Sequence, residues 1–454
     1  MENSIIQKYN VPGPRYTSYP TVPYWEEELF TTRQWIQTMQ QAFNESNTAE
    51  GISLYIHLPF CDSMCTFCGC NKRITKRHDV EEVYIAAVLK EWQLYCKLLP
   101  ETPKIKELHL GGGTPTFFSP ENLEKLITGI LKRAEKAPEY EFSFEGHPNN
   151  TTRQHLQKLY DLGFRRVSFG VQDYDEKVQK AIHRIQPFHN VAKVTFWAKE
   201  IGYTSISHDL VFGLPFQTIE NIVDTIEKTK SLDPDRISFY SYAHVPWIKG
   251  NGQRGFDESN LPQDQEKRML YEIGKKLLAQ KGFHEIGMDH FALETDSMYK
   301  AFTSGKLHRN FMGYSASKTQ LMVGLGVSSI SDSWYSFAQN EKNLEDYYHK
   351  LEMNELPVFR GHLLTDEDLI IRKHILNLMC TFKTSWQEKS EYFSELTEVL
   401  ESLHEMENDE LLIIGKDTIT VTEKGKPFIR NICMAFDLRL KRKAPQTKLF
   451  SMTV

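Results

Sequence analysis

Four cysteines within ten residues carry the clearest chemistry of this 454-residue chain: Cys61, Cys65, Cys68 and Cys70. The first three have the spacing C-x3-C-x2-C on the loop that leaves the first predicted strand. Three thiolates can hold three irons of a four-iron cluster, which leaves the fourth iron without a protein ligand. An open coordination position distinguishes a catalytic metal from a structural one. We therefore predict a [4Fe–4S] cluster on Cys61, Cys65 and Cys68 that binds S-adenosylmethionine at the open iron and cleaves it reductively.

Two alternatives compete with the cluster: a zinc site, and unrelated core cysteines. Zinc favours two paired C-x2-C units, and the sequence lacks the second unit. Cys70 either fills the open iron position or takes no part. Because filling that position would block the chemistry, we leave Cys70 outside the ligand set. The scattered Cys96, Cys380 and Cys433 are predicted to be small, buried apolar side chains.

Strands and helices alternate from about residue 51, and they must position this loop. Six strand–helix units predict right-handed crossovers and a parallel sheet. An open partial (βα)6 barrel and a doubly wound sheet both fit six units, and both place ligands at the carboxyl ends of the strands. The predicted strands are Ser53–His57, Lys106–Leu110, Glu141–Glu145, Arg165–Gly170, Ser205–Val211 and Arg236–Tyr240. The predicted helices are 80–98, Pro120–Lys136, Thr152–Leu162, stretches up to about 201, Thr218–Ser231 and Gln263–Gln280.

Glycines and polar side chains stand where these predicted strands end. Gly111, Gly112 and Gly113 follow the second strand, and the missing Cβ atoms let the backbone touch a ligand there. Carboxylates at such positions can bind ribose hydroxyls, and an arginine can bind a carboxylate. A capping or surface role is the alternative for each of them. These polar candidates are Glu145, Gln172, Asp173, Arg184 and Asp209.

A basic run follows the cysteines, from Asn71 to His78. It either captures an acidic substrate or forms a solvated loop. Arg73 lies in this run, and Arg15 and Arg309 are further candidates for binding substrate. The chain as a whole has a formal net charge of -6, so nucleic acid is not the expected partner. A local basic pocket for an acidic small molecule remains compatible with that charge.

Three regions are expected along the chain. Residues 1–50 are rich in turn and extended formers and predict little regular structure. Residues 51–350 hold the catalytic domain. In 360–454, helices at Asp366–Cys380 and Tyr392–Glu405 precede a hairpin at Leu411–Thr422, which indicates a small winged-helix-like domain. We expect this domain to cover the barrel mouth, with nucleic-acid binding as the alternative.

The composition is that of a globular chain, with 40% hydrophobic and 25% charged residues. No apolar run approaches the roughly 20 residues that span a bilayer. The first residues, Met1-Glu2-Asn3-Ser4, lack the basic and apolar regions of a signal peptide. We therefore expect a cytoplasmic protein without a membrane partner, and nothing in the sequence requires more than a monomer.

The sequence resembles the oxygen-independent coproporphyrinogen III oxidases, or coproporphyrinogen dehydrogenases, of the radical S-adenosylmethionine superfamily. The resemblance covers nearly the whole chain, and its motifs are specific to the enzyme branch. They are Pro14–Pro20, Tyr55–Cys70, Gly111–Pro115, Gly170–Asp173, Asp209, Tyr242–His244, Gly287–Phe291, Leu307–Phe311, Gly324–Ile330 and Arg430–Met434.

This resemblance implies an oxidoreductase of anaerobic haem biosynthesis. Members convert the propionates on rings A and B of coproporphyrinogen III to vinyl groups, with release of carbon dioxide, giving protoporphyrinogen IX. The adenosyl radical abstracts a hydrogen from the β-carbon of a propionate, and loss of carbon dioxide and one electron leaves the vinyl group. An electron donor and a final acceptor are required, and the sequence identifies neither.

The resemblance also implies the cofactors and their contacts. The family binds a [4Fe–4S] cluster and two S-adenosylmethionine molecules in an open (βα)6 barrel, with an N-terminal segment near the substrate and a helical C-terminal cover. By matching motif positions, the implied S-adenosylmethionine contacts are Tyr55, Phe67, Gly112, Gly113, Thr114, Glu145, Gln172, Arg184, Asp209, Ala243 and Ile330.

Three positions depart from the commoner family pattern. After the third strand, Glu-x-Asp-Pro-Arg is replaced by the segment Glu145–Asn149, which keeps the glutamate and lacks the second acid and the arginine. Phe-Gln-Gly-Tyr becomes Phe311–Tyr314, in which Met312 replaces the glutamine. His208 stands before Asp209 where an asparagine is expected. These departures concern the details of cofactor binding.

Other functions remain as alternatives. The first is a haem chaperone of the related branch, which usually lacks the fourth cysteine and the Arg-Tyr-Thr-Ser-Tyr-Pro segment. Both are present here, as Cys70 and Arg15–Pro20. The others are a radical enzyme that opens or methylates porphyrin rings and a DNA-binding regulator built on the C-terminal domain, which the acidic net charge disfavours.

The cluster assignment predicts the outcome of single cysteine replacements. Cys65→Ser removes one of three iron ligands and should abolish iron binding, whereas Cys380→Ser should leave the iron content unchanged. Iron analysis and the visible absorbance after anaerobic reconstitution measure both. A Cys65→Ser protein with full iron content would contradict the assignment, and loss of the absorbance in Cys70→Ser would make Cys70 a ligand.

Overall fold

The computed structural model describes residues 3–246, 252–253, 256–445, 447 and 449–453. Nineteen strands occur in this part of the chain. They are β1 Ile52–Leu58, β2 Phe60–Cys61, β3 Arg73–Ile74, β4 Lys104–Gly112, β5 Glu135–Gly146, β6 Phe164–Gln172, β7 Ser205–Phe212, β8 Arg236–Ser241, β9 His284–Gly287, β10 His290–Ala292, β11 His308–Asn310, β12 Gly313–Ser315, β13 Met322–Leu325, β14 Ile330–Asp332, β15 Ser336–Asn340, β16 Val358–Leu363, β17 Lys383–Ser385, β18 Leu412–Ile414 and β19 Thr418–Val421.

Fifteen α-helices accompany these strands in the described residues. They are α1 Asn3–Tyr9, α2 Thr32–Ser46, α3 Val80–Leu98, α4 Pro120–Leu131, α5 Arg153–Asp161, α6 Glu176–Ala181, α7 Phe188–Ile201, α8 Ile219–Ser231, α9 Asp264–Gln280, α10 Ser297–Thr303, α11 Leu344–Glu352, α12 Asp366–Thr381, α13 Leu396–Asn408, α14 Ile429–Phe436 and α15 Leu438–Arg442. Among the described residues, none of these helices is both long enough and apolar enough to cross a bilayer.

A twelve-stranded mixed sheet organises the molecule, in the order β16-β15-β14-β13-β1-β4-β5-β6-β7-β8-β10-β9. The six central strands, β1 and β4 to β8, pair in parallel with their neighbours in sequence. A doubly wound sheet reverses its strand order at a switch point, and this order does not reverse. The predicted open partial (βα)6 barrel is therefore confirmed, and the described edge strands β16 and β9 do not close it.

The sheet and its helices enclose the largest apolar core. Leu54 and Ile56 of β1 pack with Trp92 of α3 and Ile127 of α4, and all four side chains are fully buried. Burying a large apolar side chain contributes about 1.5–3 kcal/mol. This core fixes β1, and with β1 the start of the cysteine loop.

The expectation of little regular structure in residues 1–50 is wrong. This region contains α1 and the fifteen-residue α2, which begins with a capping box between Thr31 and Gln34. Trp35, Met39 and Phe43 follow at helical spacing, and each is fully buried. The capping pair and this period were present in the sequence and could have identified the helix.

Two predicted helices have different limits in the structure. The helix predicted at Pro120–Lys136 ends at Leu131 in the structure, and Lys136 pairs with Ile105 in the parallel sheet. Sheet pairing overrides the helical preference of these residues. The helix predicted at Tyr392–Glu405 begins later, at Leu396, and a separate short helical turn at Lys389–Glu391 precedes it.

The C-terminal region has the predicted pair of helices and hairpin. A third strand that was not predicted, β17, joins the hairpin strands in the order β17-β19-β18. The apolar core of this region also includes Ile5, Ile6 and Tyr9 of α1. The start of the chain therefore packs against its C-terminal region. Of the scattered cysteines, Cys380 and Cys433 are buried as predicted, whereas Cys96 is only partly buried.

Candidate active site

A cavity of about 610 Å³ opens at the carboxyl ends of the central strands, where ligands were expected. We call it the carboxyl-end cavity. Strands β4 to β8 each contribute to its wall through residues in their carboxyl-terminal halves. These residues include Gly112, Glu145, Gln172, Asp209 and Ser241.

The three predicted cluster cysteines all line the carboxyl-end cavity. Cys61 lies on β2, which pairs with β3 and so closes the loop between them. The Thr114 hydroxyl donates to Cys61 Sγ at 3.3 Å, and Arg184 Nη1 lies 3.9 Å from Cys65 Sγ. Each donor stabilises negative charge on its sulfur. Both donors would favour the thiolate form of the sulfur that they contact.

The pKa values of these thiols differ with their surroundings. A hydrogen bond from the Cys70 thiol lowers the pKa of Cys68 to about 6. Burial raises the pKa of Cys61 to about 11. A metal cation deprotonates a coordinating thiol outright, so the buried Cys61 becomes a thiolate when iron binds. Cys70 is exposed on the cavity wall and lies two residues beyond Cys68.

Three cysteines that line one cavity can serve separate irons of one cluster. Within the described ranges, no three His, Cys, Asp or Glu side chains are placed to hold one metal ion together. Ligands of a four-iron cluster bind different irons, so they need not meet at one point. The number, chemistry and shared cavity of the three cysteines match such a cluster.

The glycine run brings the backbone of β4 against the end of β1. A Cβ atom on Gly113 would lie 2.6 Å from the carbonyl oxygen of Pro59, and Gly112 has a φ of +117°. The Gly113 amide donates to Leu58 O at 2.8 Å. Glycine is required here because any side chain would collide with the backbone that carries the cysteines.

Polar groups of β5, β6 and β7, together with Arg184 from the segment between α6 and α7, face the same cavity. The Ser168 hydroxyl donates to Asp209 Oδ2 at 2.6 Å, and burial raises the pKa of Asp209 to about 6. Arg184 Nη2 donates to Gly170 O at 2.7 Å, while its buried Nε has no hydrogen-bond partner within the described residues. Glu145 is exposed on the wall. Two carboxylates and one arginine thus surround a space that can hold a zwitterionic ligand.

Most of the implied S-adenosylmethionine positions meet in this cavity. Tyr55 and Ile330 are not among the residues that line it. The Tyr55 hydroxyl is 3.1 Å from His57 Nδ1, and Ile330 packs with the apolar cluster around Trp25. The residues that do line it are Phe67, Gly112, Gly113, Thr114, Glu145, Gln172, Arg184, Asp209 and Ala243.

Asp173 is a candidate that the structure places elsewhere. It is fully buried, accepting a hydrogen bond from Gln217 Nε2 at 2.6 Å and another from the Asp175 amide at 2.7 Å. Its carboxylate thus holds the segment after β6 and does not line the cavity. The alternative of a structural cap was the correct one for Asp173.

The basic run divides into one cavity residue and a solvent-exposed part outside the cavity that includes β3. Lys72 lines the cavity and donates to Cys68 O at 3.3 Å. Arg73 is exposed outside the lining, 4.0 Å from Glu345, and Arg77 pairs with Asp79. Arg15 lines the cavity from the N-terminal segment, whereas Arg309 is buried behind it.

Comparisons with known proteins agree with this geometry. Residues 55–229 match the Radical SAM superfamily. The oxygen-independent coproporphyrinogen III oxidase of Helicobacter pylori (strain J99) is 38% identical, over 96% of each chain. That of Escherichia coli K12 is 36% identical, over 97% of this chain and 96% of the relative. The solved structure of the Escherichia coli coproporphyrinogen III oxidase HemN, a radical SAM enzyme, superposes with a TM-score of 0.89 and 34% identity, covering 96% of this chain and 98% of that one.

This chain belongs to the oxygen-independent coproporphyrinogen III oxidase family. The resemblance inferred from the motifs is thereby confirmed. Membership of this family makes the protein an oxidoreductase. Membership of the radical SAM superfamily implies a [4Fe–4S] cluster and S-adenosylmethionine as its cofactors.

The three departures from the family pattern lie in different surroundings. His147 lines the carboxyl-end cavity, so the change after Glu145 alters the wall itself. His208 points to α7, where Nε2 is 2.9 Å from the Thr195 hydroxyl, because neighbours in a strand face opposite sides. Met312 does not line the cavity. Only the first departure touches the candidate site.

Several cavity residues escaped the sequence analysis. Asp62 accepts a hydrogen bond from Asn150, which ties the cysteine loop to the segment after β5. Tyr240 lines the cavity at the end of β8. The position of Tyr240 at the end of a predicted strand could have identified it as a cavity residue. Asp62 and Asn150 lie in loops, and no periodic pattern marks such a pair.

Gly113 and Gly69 offer a matched test of the cavity wall. Gly113→Ala would press a Cβ against the Pro59 carbonyl, whereas a Cβ on Gly69 meets no atom within 4 Å. Gly113→Ala should therefore weaken S-adenosylmethionine binding at least tenfold, and Gly69→Ala should leave it within twofold. Calorimetric titration of the reconstituted proteins measures both affinities. Equal affinities for the two variants would contradict the close approach of β4 to the cysteine loop.

Proposed function

We propose that this protein converts two propionate side chains of coproporphyrinogen III to vinyl groups, giving protoporphyrinogen IX in haem biosynthesis without oxygen. The observation that carries the proposal is one cavity that joins the three candidate cluster cysteines, a glycine turn, three carboxylates and two arginines. The first groups suit the cluster and S-adenosylmethionine, and Arg15 suits a substrate carboxylate. The family relationship supplies the identity of the substrate.

The cofactors would be held by residues of the cavity wall. Cys61, Cys65 and Cys68 would ligate the cluster. When bound, the cluster and S-adenosylmethionine supply a 5′-deoxyadenosyl radical that removes a hydrogen atom from substrate. Asp209 would accept a ribose hydroxyl, because Ser168 fixes its carboxylate at the cavity wall. The other proposed contacts are Phe67, Gly112, Gly113, Thr114, Glu145, Gln172, Arg184 and Ala243.

A second S-adenosylmethionine remains part of the proposal through the family resemblance. Tyr55 and Ile330 are proposed contacts that lie outside the lining of the carboxyl-end cavity. Tyr55 lies directly under the glycine turn, since a Cβ on Gly111 would be 3.1 Å from its ring. A second molecule would use this face of the sheet beside the first.

Arg15 is the proposed anchor for a substrate carboxylate. Its guanidinium donates to Asp289 Oδ2 at 3.0 Å and to Ser241 O at 3.2 Å, which leaves it on the cavity wall. Arginine binds carboxylates through paired N–H donors. A propionate held there would have its neighbouring carbon inside the cavity that the cysteines line.

Two buried arginines hold the backbone on either side of Arg15. Arg309 donates from Nε to Tyr16 O and from Nη2 to Arg15 O, both at 3.3 Å. Arg430 donates from Nε to Pro14 O at 2.9 Å and also to Gly13 O. Arg309 thus takes a positioning role and Arg73, which lies outside the cavity, is a weak candidate for substrate contact.

Electron balance requires two external partners. Each propionate loses a hydrogen atom to the adenosyl group, then carbon dioxide and one electron. We propose an unidentified donor that reduces the cluster and an unidentified acceptor for that last electron. We propose that the protein acts as a monomer. The seven free thiols suit the reducing environment of the cytoplasm.

The first experiment is an anaerobic turnover assay. Reconstituted protein receives reductant, S-adenosylmethionine and coproporphyrinogen III, and chromatography follows the porphyrins and 5′-deoxyadenosine. Both protoporphyrin and deoxyadenosine are expected. Deoxyadenosine without protoporphyrin would mean that coproporphyrinogen III is not the substrate, and haem transfer by a chaperone would then be tested. Neither product from protein with an intact cluster would contradict the catalytic proposal.

Arg15 and Arg73 provide matched charge removals. Arg15→Gln should raise KM for coproporphyrinogen III about tenfold or more, since a charge-assisted hydrogen bond contributes about 1.5–3 kcal/mol. Its affinity for S-adenosylmethionine should stay unchanged. Arg73→Gln removes the same charge outside the cavity and should keep the wild-type KM. A larger rise in KM for Arg73→Gln than for Arg15→Gln would contradict this assignment and place the substrate anchor in the basic run.

A further inference from the structure

A second, larger cavity lies at the opposite end of the barrel. Its volume is about 1200 Å³, and it is lined by the amino ends of the central strands together with α10 and α12. We call it the amino-end cavity. Strand β4 runs from Lys104 in this cavity to Gly112 in the carboxyl-end cavity. Nine residues at about 3.3 Å each separate the two cavities by roughly 25 Å.

The amino-end cavity is strongly basic in a chain whose net charge is -6. Eight of its lining residues are basic and four are acidic, so the lining carries four net positive charges. The acidic residues are Glu50, Glu139, Glu141 and Asp296. The basic residues are Lys104, Lys106, Arg165, Arg166, Lys300, Lys306, Lys318 and Lys373.

Two of the four acids are already engaged by arginines. Glu141 pairs with Arg166, and Asp296 pairs with the buried Arg236 at 2.6 Å. Nη1 of Arg236 is also buried and has no hydrogen-bond partner in the described part of the chain. Glu141 and Asp296 therefore add no unpaired negative charge to the inner wall. Arg236 beside this wall keeps one N–H group that has no acceptor among the described residues.

Five lysines of the lining have no carboxylate partner among the described residues, and of these five Lys106 alone donates a side-chain hydrogen bond there. The lysines that form no ion pair within 4.0 Å in this part of the chain are Lys104, Lys106, Lys300, Lys306 and Lys318. Lys106 donates to Pro138 O at 3.0 Å, whereas Lys373 pairs with Glu391 at 2.6 Å. Five ammonium groups without a carboxylate partner around one concave space raise its potential and attract anions.

The lining also offers flat surfaces and hydroxyl donors. Trp334 and Tyr140 contribute aromatic rings, and Lys318 lies 5.5 Å from the Trp334 ring. Hydroxyls of Thr204, Ser205 and Ser317 complete a mixed surface. The volume exceeds the roughly 300–1000 Å³ that is usual for a small-molecule site. A large ligand with several negative groups matches this combination.

We propose that the amino-end cavity binds a polyanionic small molecule that carries several carboxylate or phosphate groups. Lys300, Lys306 and Lys318 on the rim pair with its negative groups, and Trp334 contacts its apolar part. This binding needs neither the cluster nor S-adenosylmethionine, because the site lies at the other end of the strands. It therefore stands apart from the proposed catalytic function.

A triple charge removal with a matched control tests this site. The test variant is Lys300→Gln/Lys306→Gln/Lys318→Gln. The control, Lys276→Gln/Lys383→Gln/Lys416→Gln, removes three exposed lysines that line neither cavity. Each reconstituted protein, saturated with S-adenosylmethionine and without reductant, is titrated with two probes, coproporphyrin III for carboxylates and tripolyphosphate for phosphates. Calorimetry gives the affinities, and tryptophan fluorescence, with Trp334→Phe as reference, reports on the cavity.

The difference in probe affinity between the test and control variants decides between the outcomes. At least one probe should bind about tenfold more weakly to the test variant than to the control, with a smaller difference at high salt. Loss confined to coproporphyrin III identifies a polycarboxylate ligand, and loss confined to tripolyphosphate identifies a phosphate ligand. Equal affinities of the test and control variants for both probes would overturn the proposal, whatever the turnover assay shows.

Discussion

The parallel pairing of β1 with β4 is the constraint on which the rest of the site depends. His57 and Leu58 lie opposite Gly111 and Gly112, so the chain enters the cysteine loop directly against the glycine turn. The close approach at Gly113 leaves no room for a side chain between them. Because β5 to β8 continue this pairing in sequence order, their polar ends arrive at the same edge of the sheet. The buried core around Trp92 holds this register.

The order of the strands and the functional residues at their carboxyl ends could be predicted, because both depend on local sequence patterns. The C-x3-C-x2-C spacing, the glycine run and Asp209 each mark the end of an apolar strand, and parallel strands bring such ends together. The six strand–helix units and the open barrel followed from the same alternation. Asp173 shows the limit, because its sequence position resembles that of Asp209 while its carboxylate binds Gln217 and lies away from the cavity.

What could not be predicted depends on contacts between distant parts of the chain. The helix at 32–46 is the exception, because its capping pair and apolar spacing are local signals that could have identified it. The placement of Arg15 on the cavity wall, with Arg309 behind it, joins segments almost 300 residues apart. The amino-end cavity likewise collects single lysines from strands, loops and a helix, and no stretch of sequence shows them as a group.

The two ends of the chain meet in the folded protein. Pro12 bridges to Met452, and the Thr453 amide donates to Val11 O at 2.8 Å, while Arg430 holds carbonyls from both segments. Residues 11–13 therefore reach their final partners only after residues 451–453 have been translated. A chain that has been translated only as far as the cysteine loop therefore lacks the contacts from Arg430 and residues 451–453 that hold the segment before Arg15.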